Sequence, residues 1–411
     1  MICDFYWPYL GGVEQHVRTL ARSLADRGHV VTVATLSVPN APGVENDHGI
    51  EVLRLKSTMQ RFPALFSNPE RPWAPPFPDP AITVELARII SARRPDVVHG
   101  HDWLARSFLP LRWWSRRRFG TRFVSSLHYY TLSCAKKTLW LDDRVCPGPV
   151  PRTCLRCAAD HYGRFKGALT VVGTWVGRRL ERRGARAFIA VSAATAHGNQ
   201  LDVDGESVHV IPNFLPVNDA TSGTTIDEWL AELPDEPPFV YVGDFRREKG
   251  FDLLLDAYAR SGIQRPLVVI GKRWPNSPPT DRAGVHVFEN WPNAAVRAAF
   301  GRAYAAVVPS RWAEPFGIVA IEAMAAGALV IAADVGGLGG VVRPEVTGLL
   351  VPPDDAGALA QAMIRLDIDF ALRTRLGARA AAEAEQYSAD RIVPQIEAVY
   401  DSVTAPSRRT R

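Results

Sequence analysis

Two glutamates in residues 311–327, RWAEPFGIVAIEAMAAG, have a spacing that suits ligand binding. Pro315 fits the first position of a helix, and Glu322 lies inside the apolar helical pattern that follows. A carboxylate in such a run needs a buried partner or a ligand. Eight helical positions span about 12 Å, comparable to the distance from a hexose to a ribose across a diphosphate. The spacing therefore predicts that one glutamate binds sugar hydroxyls and the other ribose hydroxyls, with a structural salt bridge as the alternative for Glu322.

Two predicted helix starts could hold the phosphates. The amides of Phe316, Gly317 and Ile318 would point outward from the first one, where an anion is favoured. The segment GDFRREKGFDLLLDA opens a second helix at about Gly250, directly after Lys249. There an ammonium group and helix amides could share a diphosphate.

Alternating β-branched runs and helical patterns organise the whole chain. Continuous apolar runs separated by helices indicate parallel sheets covered on both faces. The runs span residues 30–36, 50–55, 96–102, 122–128, 187–192 and 208–213, and then 239–244, 266–272, 285–290, 305–310, 328–334 and 348–352. The predicted fold class is α/β, with two doubly wound Rossmann-like domains at residues 1–213 and 239–388, joined by a polar, proline-containing linker at 214–238.

Ligands of such sheets bind beyond the carboxyl ends of the strands, so we expect two facing domains to share a cleft. The residues that end predicted strands, and should line it, are Asp4, His101, His128, Gly243, Lys272, Asn290 and Ser310.

Bulk composition fits a soluble chain of about two domains. The 411 residues are 47% hydrophobic, and a net charge of +5 with pI near 9.0 is too mild to imply nucleic acid. No apolar run reaches the roughly 18 residues of a membrane span, and no secretory leader opens the chain, so we predict a cytoplasmic protein. The basic run LRWWSRRRFG, residues 111–120, is interpreted as a solvated helix face, with peripheral contact to an anionic membrane as the alternative.

Four cysteines cluster within CAKKTLWLDDRVCPGPVPRTCLRC. Cys134, Cys146, Cys154 and Cys157 end in a CxxC pair, and four thiolates can bind one structural zinc tetrahedrally. Unligated thiols and disulfides are the alternatives, although a cytosolic disulfide is disfavoured. Cys3 is predicted to be a core residue.

The segment VVPSRWAEPFGIVAIEAMAAGALVIAADVGGL resembles the signature of two glutamates separated by seven residues in retaining glycosyltransferase family 4, which has the GT-B fold. The likeness covers almost the whole chain. Its other motifs are PYLGGVEQHVRTLARSLADRGHVVTV, DVVHGHD, VSAATA, VIPNF, YVGDFRREKGFDLLLDAY and GLLVPPDD. Some members of the family carry a similar cysteine-rich insertion after the strand-ending histidine.

The resemblance implies roles for individual residues. Glu314 would contact the donor sugar and Glu322 the nucleotide ribose, while His128 would face the reacting sugar. Gly11 and Gly12, between a strand and a helix, would let the backbone approach a phosphate or the acceptor. The last helix, residues 389–404, would return to the first domain.

This chain departs from the family pattern in three places. Asp244 stands where relatives have a phosphate-binding arginine, so Arg246 or Arg247 takes that role or is only a solvated surface charge. Gly340 stands where relatives commonly have a glutamate. The strand before Trp7 is short, which leads us to expect a true start upstream of Met1.

The resemblance implies a retaining glycosyltransferase whose donor is a nucleotide diphosphate sugar. The second domain would hold the donor, and the first would hold an acceptor that is a glycan, a lipid-linked sugar or a small molecule. Lys249, a nearby arginine and helix amides would stabilise the diphosphate without a catalytic metal. A sugar nucleotide epimerase of the same fold and a non-catalytic sugar-nucleotide-binding protein are the alternatives; a dinucleotide oxidoreductase is disfavoured because its spaced glycine fingerprint is missing.

Overall fold

The computed structural model describes residues 1–9, 11–62, 74–201, 207–215 and 226–405. The chain divides into two compact units. Unit 1 contains residues 1–139, 147–216 and 389–411, and unit 2 contains residues 140–146 and 217–388. The linker predicted at 214–238 lies partly outside the described residues. Its described part includes a short helix, Ile226–Leu230, that was not predicted from the sequence.

Every predicted strand is present, because β-branched apolar runs of this length suit buried parallel strands. The strands are β1 Thr32–Leu36, β2 Val44–Asp47, β3 Ile50–Leu55, β4 Val97–Gly100, β5 Arg122–Leu127, β6 Trp140–Leu141, β7 Arg144–Val145, β8 Ala187–Ala190, β9 Val208–Val210, β10 Phe239–Val242, β11 Leu267–Gly271, β12 Val285–Glu289, β13 Ala305–Val308, β14 Val330–Ala333 and β15 Gly348–Val351. β2 and the β6–β7 hairpin were not predicted.

Helices connect most of these strands. They are α1 Gly12–Asp26, α2 Pro80–Arg93, α3 Arg112–Phe119, α4 Pro151–Tyr162, α5 Arg164–Gly184, α6 Ala193–Gly198, α7 Ile226–Leu230, α8 Phe251–Ser261, α9 Asn293–Arg302, α10 Ile318–Ala325, α11 Leu338–Val341, α12 Ala356–Ile368, α13 Phe370–Ala384 and α14 Ala389–Thr404. The described ranges also contain four 3-10 segments: Met59–Arg61, Trp103–Leu111, Arg247–Lys249 and Glu385–Tyr387.

The sheet of unit 1 is mostly parallel. β1 pairs with β3, β4 with β5, β5 with β8 and β8 with β9 in parallel, while β2 is antiparallel to β3. Ile2 bridges to Ala34 in β1 and to Gly100 in β4, so the first residues of the chain lie between these two strands. The carboxyl ends of β4, β5 and the segment around Ile2 consequently meet at one edge of the sheet. His101 follows β4 there, and His128 follows β5.

Unit 2 is built on one six-stranded parallel sheet in the order β12-β11-β10-β13-β14-β15. The central strands β10, β11, β13 and β14 are almost entirely buried, as expected for a sheet covered on both faces. Helices α8 and α12 pack together over one face. This arrangement places the loops after β10 and β13, which carry Lys249 and Glu314, beside each other, because β10 pairs directly with β13.

The terminal helix α14 belongs to unit 1. Its buried residues Ile392, Ile396 and Val399 share a core with Leu20 and Leu24 of α1. Pro394 lies inside α14 without ending it.

A buried ion pair fixes α5 to the rest of unit 1. Arg106 is 1% exposed, and its Nε donates to Glu181 Oε2 at 2.9 Å. The same guanidinium donates to the backbone oxygens of Pro76 and Thr131, and Ser125 Oγ donates to Glu181 Oε1 at 2.6 Å. Both charges are thus fully hydrogen-bonded, which is what a buried ion pair requires to be tolerated.

We predict that Glu181→Ala destabilises the protein by about 3–5 kcal/mol, because it leaves the Arg106 guanidinium buried without its carboxylate. Urea unfolding of the variant measures this loss. Arg183→Ala, which alters an exposed arginine near the end of the same helix, is the control and should stay within about 0.5 kcal/mol of wild type. Equal midpoints for the Glu181 variant and the control would contradict the prediction.

Candidate functional site

Unit 2 brings Lys249 and Glu314 into direct contact. Lys249 Nζ donates to Glu314 Oε2 at 2.9 Å. The same carboxylate oxygen accepts from Trp312 Nε1 at 2.7 Å and from Ser310 Oγ at 3.2 Å. The ammonium also lies 4.6 Å from the centre of the Trp312 ring. With the side chains of Lys249 and Glu314 32% and 15% exposed, this cluster presents one cation and one carboxylate at a surface that a ligand can reach.

Glycines hold the backbone around this cluster. Gly250 has φ +72, and a Cβ there would lie 1.8 Å from the carbonyl oxygen of Pro309. A side chain at this position is therefore excluded both by conformation and by space. Gly337 N donates to the backbone oxygen of Glu314 at 2.6 Å and fixes the loop that carries the carboxylate.

The helix after Glu314 begins later than predicted. α10 starts at Ile318, and Gly317, with φ +102, is its N-cap, so Pro315 lies before the helix and not at its first position. The left-handed backbone at Gly317 interrupts the helical path, and the distance of 12 Å that assumed a continuous helix from Glu314 to Glu322 does not apply. α10 has no side-chain cap, which leaves the amides of Gly317 and Ile318 at a helix start suited to an anion.

Glu322 has no salt-bridge partner within the described part of the chain, so the structural alternative for this residue finds no support. Burial raises the pKa of Glu322 to about 7, although the positive charge of Arg297 acts in the opposite direction. A half-buried carboxylate without an ion pair is an environment that ribose hydroxyls could complete.

The candidate phosphate arginines differ in their surroundings. Arg247 forms ion pairs with Asp143 at 3.2 Å and with Asp252 at 3.4 Å, and is 60% exposed. Arg246 forms an ion pair with Glu248 at 2.7 Å, and its guanidinium lies 5.1 Å from the Trp274 ring centre.

Lys272, which was predicted to line the site, also lies beside Trp274. Lys272 Nζ lies 4.8 Å from the centre of the same ring that Arg246 approaches. Phe245 N donates to the Lys272 carbonyl at 3.0 Å, which joins the ends of β10 and β11. Arg246 and Lys272 therefore form a second basic cluster of unit 2, and Arg246 is the better phosphate candidate of the two arginines.

Unit 1 gathers four buried histidines from three segments. His101 Nδ1 lies 3.1 Å from His128 Nε2, and the His16 and His128 ring centres are 4.6 Å apart. His99 bonds to Tyr400 of α14 and to Ser126, both at 2.7 Å. Within the described ranges, the ring nitrogens His16 Nδ1, His101 Nε2 and His128 Nδ1 are buried and lack a hydrogen-bond partner.

Burial keeps these histidines neutral. It lowers the pKa of His128 to about 4, and it lowers the pKa values of His16, His99 and His101 well below their usual range. A neutral imidazole offers one donor and one acceptor, so the cluster can hydrogen-bond hydroxyl groups. Ligand atoms of His16, His101 and His128 lie within 4.8 Å of one another, so these three rings could also hold a metal ion.

A lysine and two aspartates lie at the same sheet edge. Lys137 Nζ donates to Asp102 Oδ1 at 2.5 Å and to Asp4 Oδ2 at 3.2 Å. Burial and the neighbouring charge of Asp102 raise the pKa of Asp4 to about 6, while Lys137 acts in the opposite direction. Lys137 was not predicted, since nothing in its local sequence marks it.

The glycine pair of unit 1 lies beside Glu14. Gly12 begins α1, and a Cβ on Gly11 would lie 2.2 Å from Glu14 Oε2. The backbone here is therefore closely packed against a carboxylate. His16 lies one turn after Gly12 on this helix, so the motif GGVEQH contained the signal for it.

The four cysteines predicted to bind zinc are reduced thiols in the structure. None forms a disulfide, and among the described residues no three of their sulfur atoms lie within 4.8 Å of one another. Cys154 and Cys157 lie on α4, whereas Cys146 follows β7. The zinc site stays a prediction from the sequence, and elemental analysis of the purified protein would test it. Cys3, as predicted, is a core residue, with its pKa raised to about 12 by burial.

Two α/β units, each built on a parallel sheet with helices, are the architecture of the GT-B glycosyltransferases. Solved structures with this fold are similar to the chain. The chain matches sucrose-phosphate synthase from Thermosynechococcus elongatus with a TM-score of 0.71, 23% identity and coverage of 98% of this chain and 99% of that chain. It matches HepE of Anabaena in complex with UDP-glucose with a TM-score of 0.64, 19% identity and the same coverage.

Family models cover both halves of the sequence. The model described as "Glycosyl transferases group 1" matches residues 224–383, and the one described as "Glycosyltransferase Family 4" matches residues 10–219. D-inositol 3-phosphate glycosyltransferase of Xylanimonas cellulosilytica is 29% identical over 96% of this chain and 92% of its own length. Glycogen synthase of Mycobacterium tuberculosis is 26% identical over 91% and 87%. The chain belongs to the group 1 glycosyltransferase superfamily, and the predictions of a GT-B fold and of a glycosyltransferase are confirmed.

The raised pKa of Glu322 predicts how stability depends on pH. Between the ordinary pKa of 4.5 and about 7, the folded protein keeps this carboxyl protonated while the unfolded chain ionises it, so the free energy of unfolding falls as pH rises. Glu322→Gln lacks this loss. Without ligand at about pH 8, we expect the variant to be more stable than wild type by about 2 kcal/mol in urea unfolding, with little difference at about pH 4. Parallel pH profiles of the two proteins would contradict this.

Proposed function

We propose that the protein is a retaining glycosyltransferase of family 4 that transfers a sugar from a nucleotide diphosphate sugar. The observation that carries this proposal is the contact of Lys249 with Glu314 at the edge of the unit 2 sheet. The cation and the uncapped start of α10 suit the diphosphate, and Glu322 suits the ribose. Relatives named as glycosyltransferases and synthases favour transfer over the epimerase and non-catalytic alternatives.

The charge that develops during transfer lies on the diphosphate. As the bond from the anomeric carbon to the phosphate oxygen breaks, negative charge accumulates on that oxygen. We propose that the Lys249 ammonium stabilises this charge, and Arg246 with Lys272 forms the second basic cluster in the same unit. The new bond to the acceptor oxygen forms on the same face of the sugar, and the leaving phosphate takes the acceptor proton, so no protein base is required.

Unit 1 is proposed to bind the acceptor. Its neutral histidines carry buried ring nitrogens that have no hydrogen-bond partner among the residues described. Such nitrogens suit the hydroxyl groups of a sugar or polyol, because each contact satisfies a polar atom that is otherwise buried at a cost. His128 is the residue of this group that we propose faces the reacting sugar.

A panel of nucleotide sugars tests the function. UDP-glucose, ADP-glucose and GDP-mannose are each incubated with the protein, with and without acceptors that include D-inositol 3-phosphate and glucans. Transfer predicts acceptor-dependent release of nucleoside diphosphate and an α-linked product from an α-linked donor. A rearranged sugar without acceptor would indicate an epimerase, and tight binding without release would indicate a non-catalytic protein.

We predict that Glu314→Ala and Lys249→Ala each lower turnover by at least about a hundredfold, the scale expected when a transition-state contact is lost. Arg260→Ala, which removes an exposed cation of α8 paired with Asp256, is the matched control and should keep near wild-type turnover. Circular dichroism of all three variants checks that they fold. A folded Glu314 or Lys249 variant with wild-type rates would refute the site assignment.

We predict that incubation with EDTA leaves turnover within about twofold of the untreated enzyme, since Lys249 and helix amides would supply the charge that a divalent cation supplies elsewhere. Activity that is lost with EDTA and restored by added Mg²⁺, Mn²⁺ or Zn²⁺ would contradict this. In that case His16→Ala would show whether the histidine cluster holds the ion.

A further inference from the structure

Helix α5 exposes four of its large apolar side chains. Phe165 is 85% exposed, Leu169 41%, Val172 51% and Val176 52%. They recur at intervals of four, three and four residues, so they form one stripe along the helix. This α5 stripe is about 16 Å long at 1.5 Å per residue.

The inward face of the same helix consists mostly of small residues, together with Val171 and Glu181. Gly167, Gly173 and Gly177 are buried, and a Cβ at Gly177 would lie 2.5 Å from the backbone oxygen of Pro76. Surface helices usually direct their large apolar residues inward and their polar residues outward. α5 reverses this arrangement, and an exposed apolar stripe of this kind marks an interaction surface.

Positive charge flanks the stripe. Arg164 precedes Phe165, and the spacing that generates the stripe continues into Arg179 and Arg183, all three exposed. The acidic residue of α5, Glu181, is buried against Arg106 and gives the outer surface no negative charge. The outward face is thus apolar along three turns and cationic at both ends.

Helix α3 extends the cationic surface beyond the end of α5. A Cβ on Gly184 would lie 2.9 Å from Cδ of Arg112, so α3 begins where α5 ends. Trp113 is 63% exposed and carries the Arg117 guanidinium 4.2 Å above its ring. Arg116 and Arg118 are exposed as well. An exposed tryptophan among arginines is typical of the interface between membrane and water.

We propose that the α5 stripe docks unit 1 on the surface of an anionic phospholipid bilayer. A second copy of the chain fits poorly, because it would bring the cations of two α5 helices together. An anionic bilayer offers headgroups to the arginines and hydrocarbon to Phe165 and Val172 at the same depth. Contact would be peripheral, since no helix of the described chain is long and apolar enough to cross a membrane.

Sedimentation with lipid vesicles tests this inference independently of the catalytic proposal. Wild type should sediment with vesicles of phosphatidylcholine and phosphatidylglycerol, much less with phosphatidylcholine alone, and less at high salt. The double variant Phe165→Asp/Val172→Asp should bind the anionic vesicles at least about tenfold more weakly, because both apolar anchors are lost. Thermal melting checks that the variant folds.

Phe370→Asp is the matched control. Phe370 is also a largely exposed phenylalanine at a helix start, but it lies in unit 2, where Asp367 and Asp369 precede it in sequence. This variant should bind vesicles as wild type does. Equal binding by wild type and the double variant, or no wild-type binding to anionic vesicles, would overturn the proposal. Light scattering that shows a dimer dissociated by the double variant would instead assign the stripe to self-association.

Discussion

The charge of a diphosphate is the constraint on which the proposed function of unit 2 depends. A protein that binds and cleaves at a diphosphate must place fixed positive groups at that point. In the proposed site Lys249 would meet this need, and it lies beside Glu314 because β10 and β13 are neighbours in a parallel sheet, so that the loop after each strand opens at the same edge. Glu314, Ser310 and Trp312 then hold the ammonium in place. Gly250 permits the close approach of the two loops, which no other residue could do without a steric clash.

The two units solve different electrostatic problems with the same architecture. Unit 2 exposes cations and keeps Glu322 half-buried without an ion pair, as would suit an anionic donor with ribose hydroxyls. Unit 1 buries neutral histidines whose pKa values are lowered by desolvation. Such rings exchange hydrogen bonds with hydroxyl groups without adding charge. The α5 stripe, outside both clusters, adds a third kind of surface, one that combines apolar side chains with arginines.

The strands could be predicted, and Lys249 and Glu314 could be singled out, because their signals in the sequence are local. Apolar β-branched runs mark the strands, and Lys249 and Glu314 lie in recognisable motifs. The histidine cluster could not be predicted as a whole, since His16, His101 and His128 meet only through the strand order of unit 1. The prediction that Pro315 begins the helix was wrong, because the left-handed backbone of Gly317 delays the start of the helix to Ile318. The spacing of Phe165, Leu169, Val172 and Val176 is that of an ordinary core face, and only the packing of small residues on α5 shows that it points outward.

A crystal structure of the protein with a bound nucleoside diphosphate is the most direct test of the donor site proposed in unit 2. We expect the phosphates to contact Lys249 Nζ and the amides at the start of α10, and the ribose hydroxyls to donate to the Glu322 carboxylate. A nucleotide bound elsewhere on unit 2, with Lys249 still paired only to Glu314 and with Glu322 untouched, would contradict this proposal.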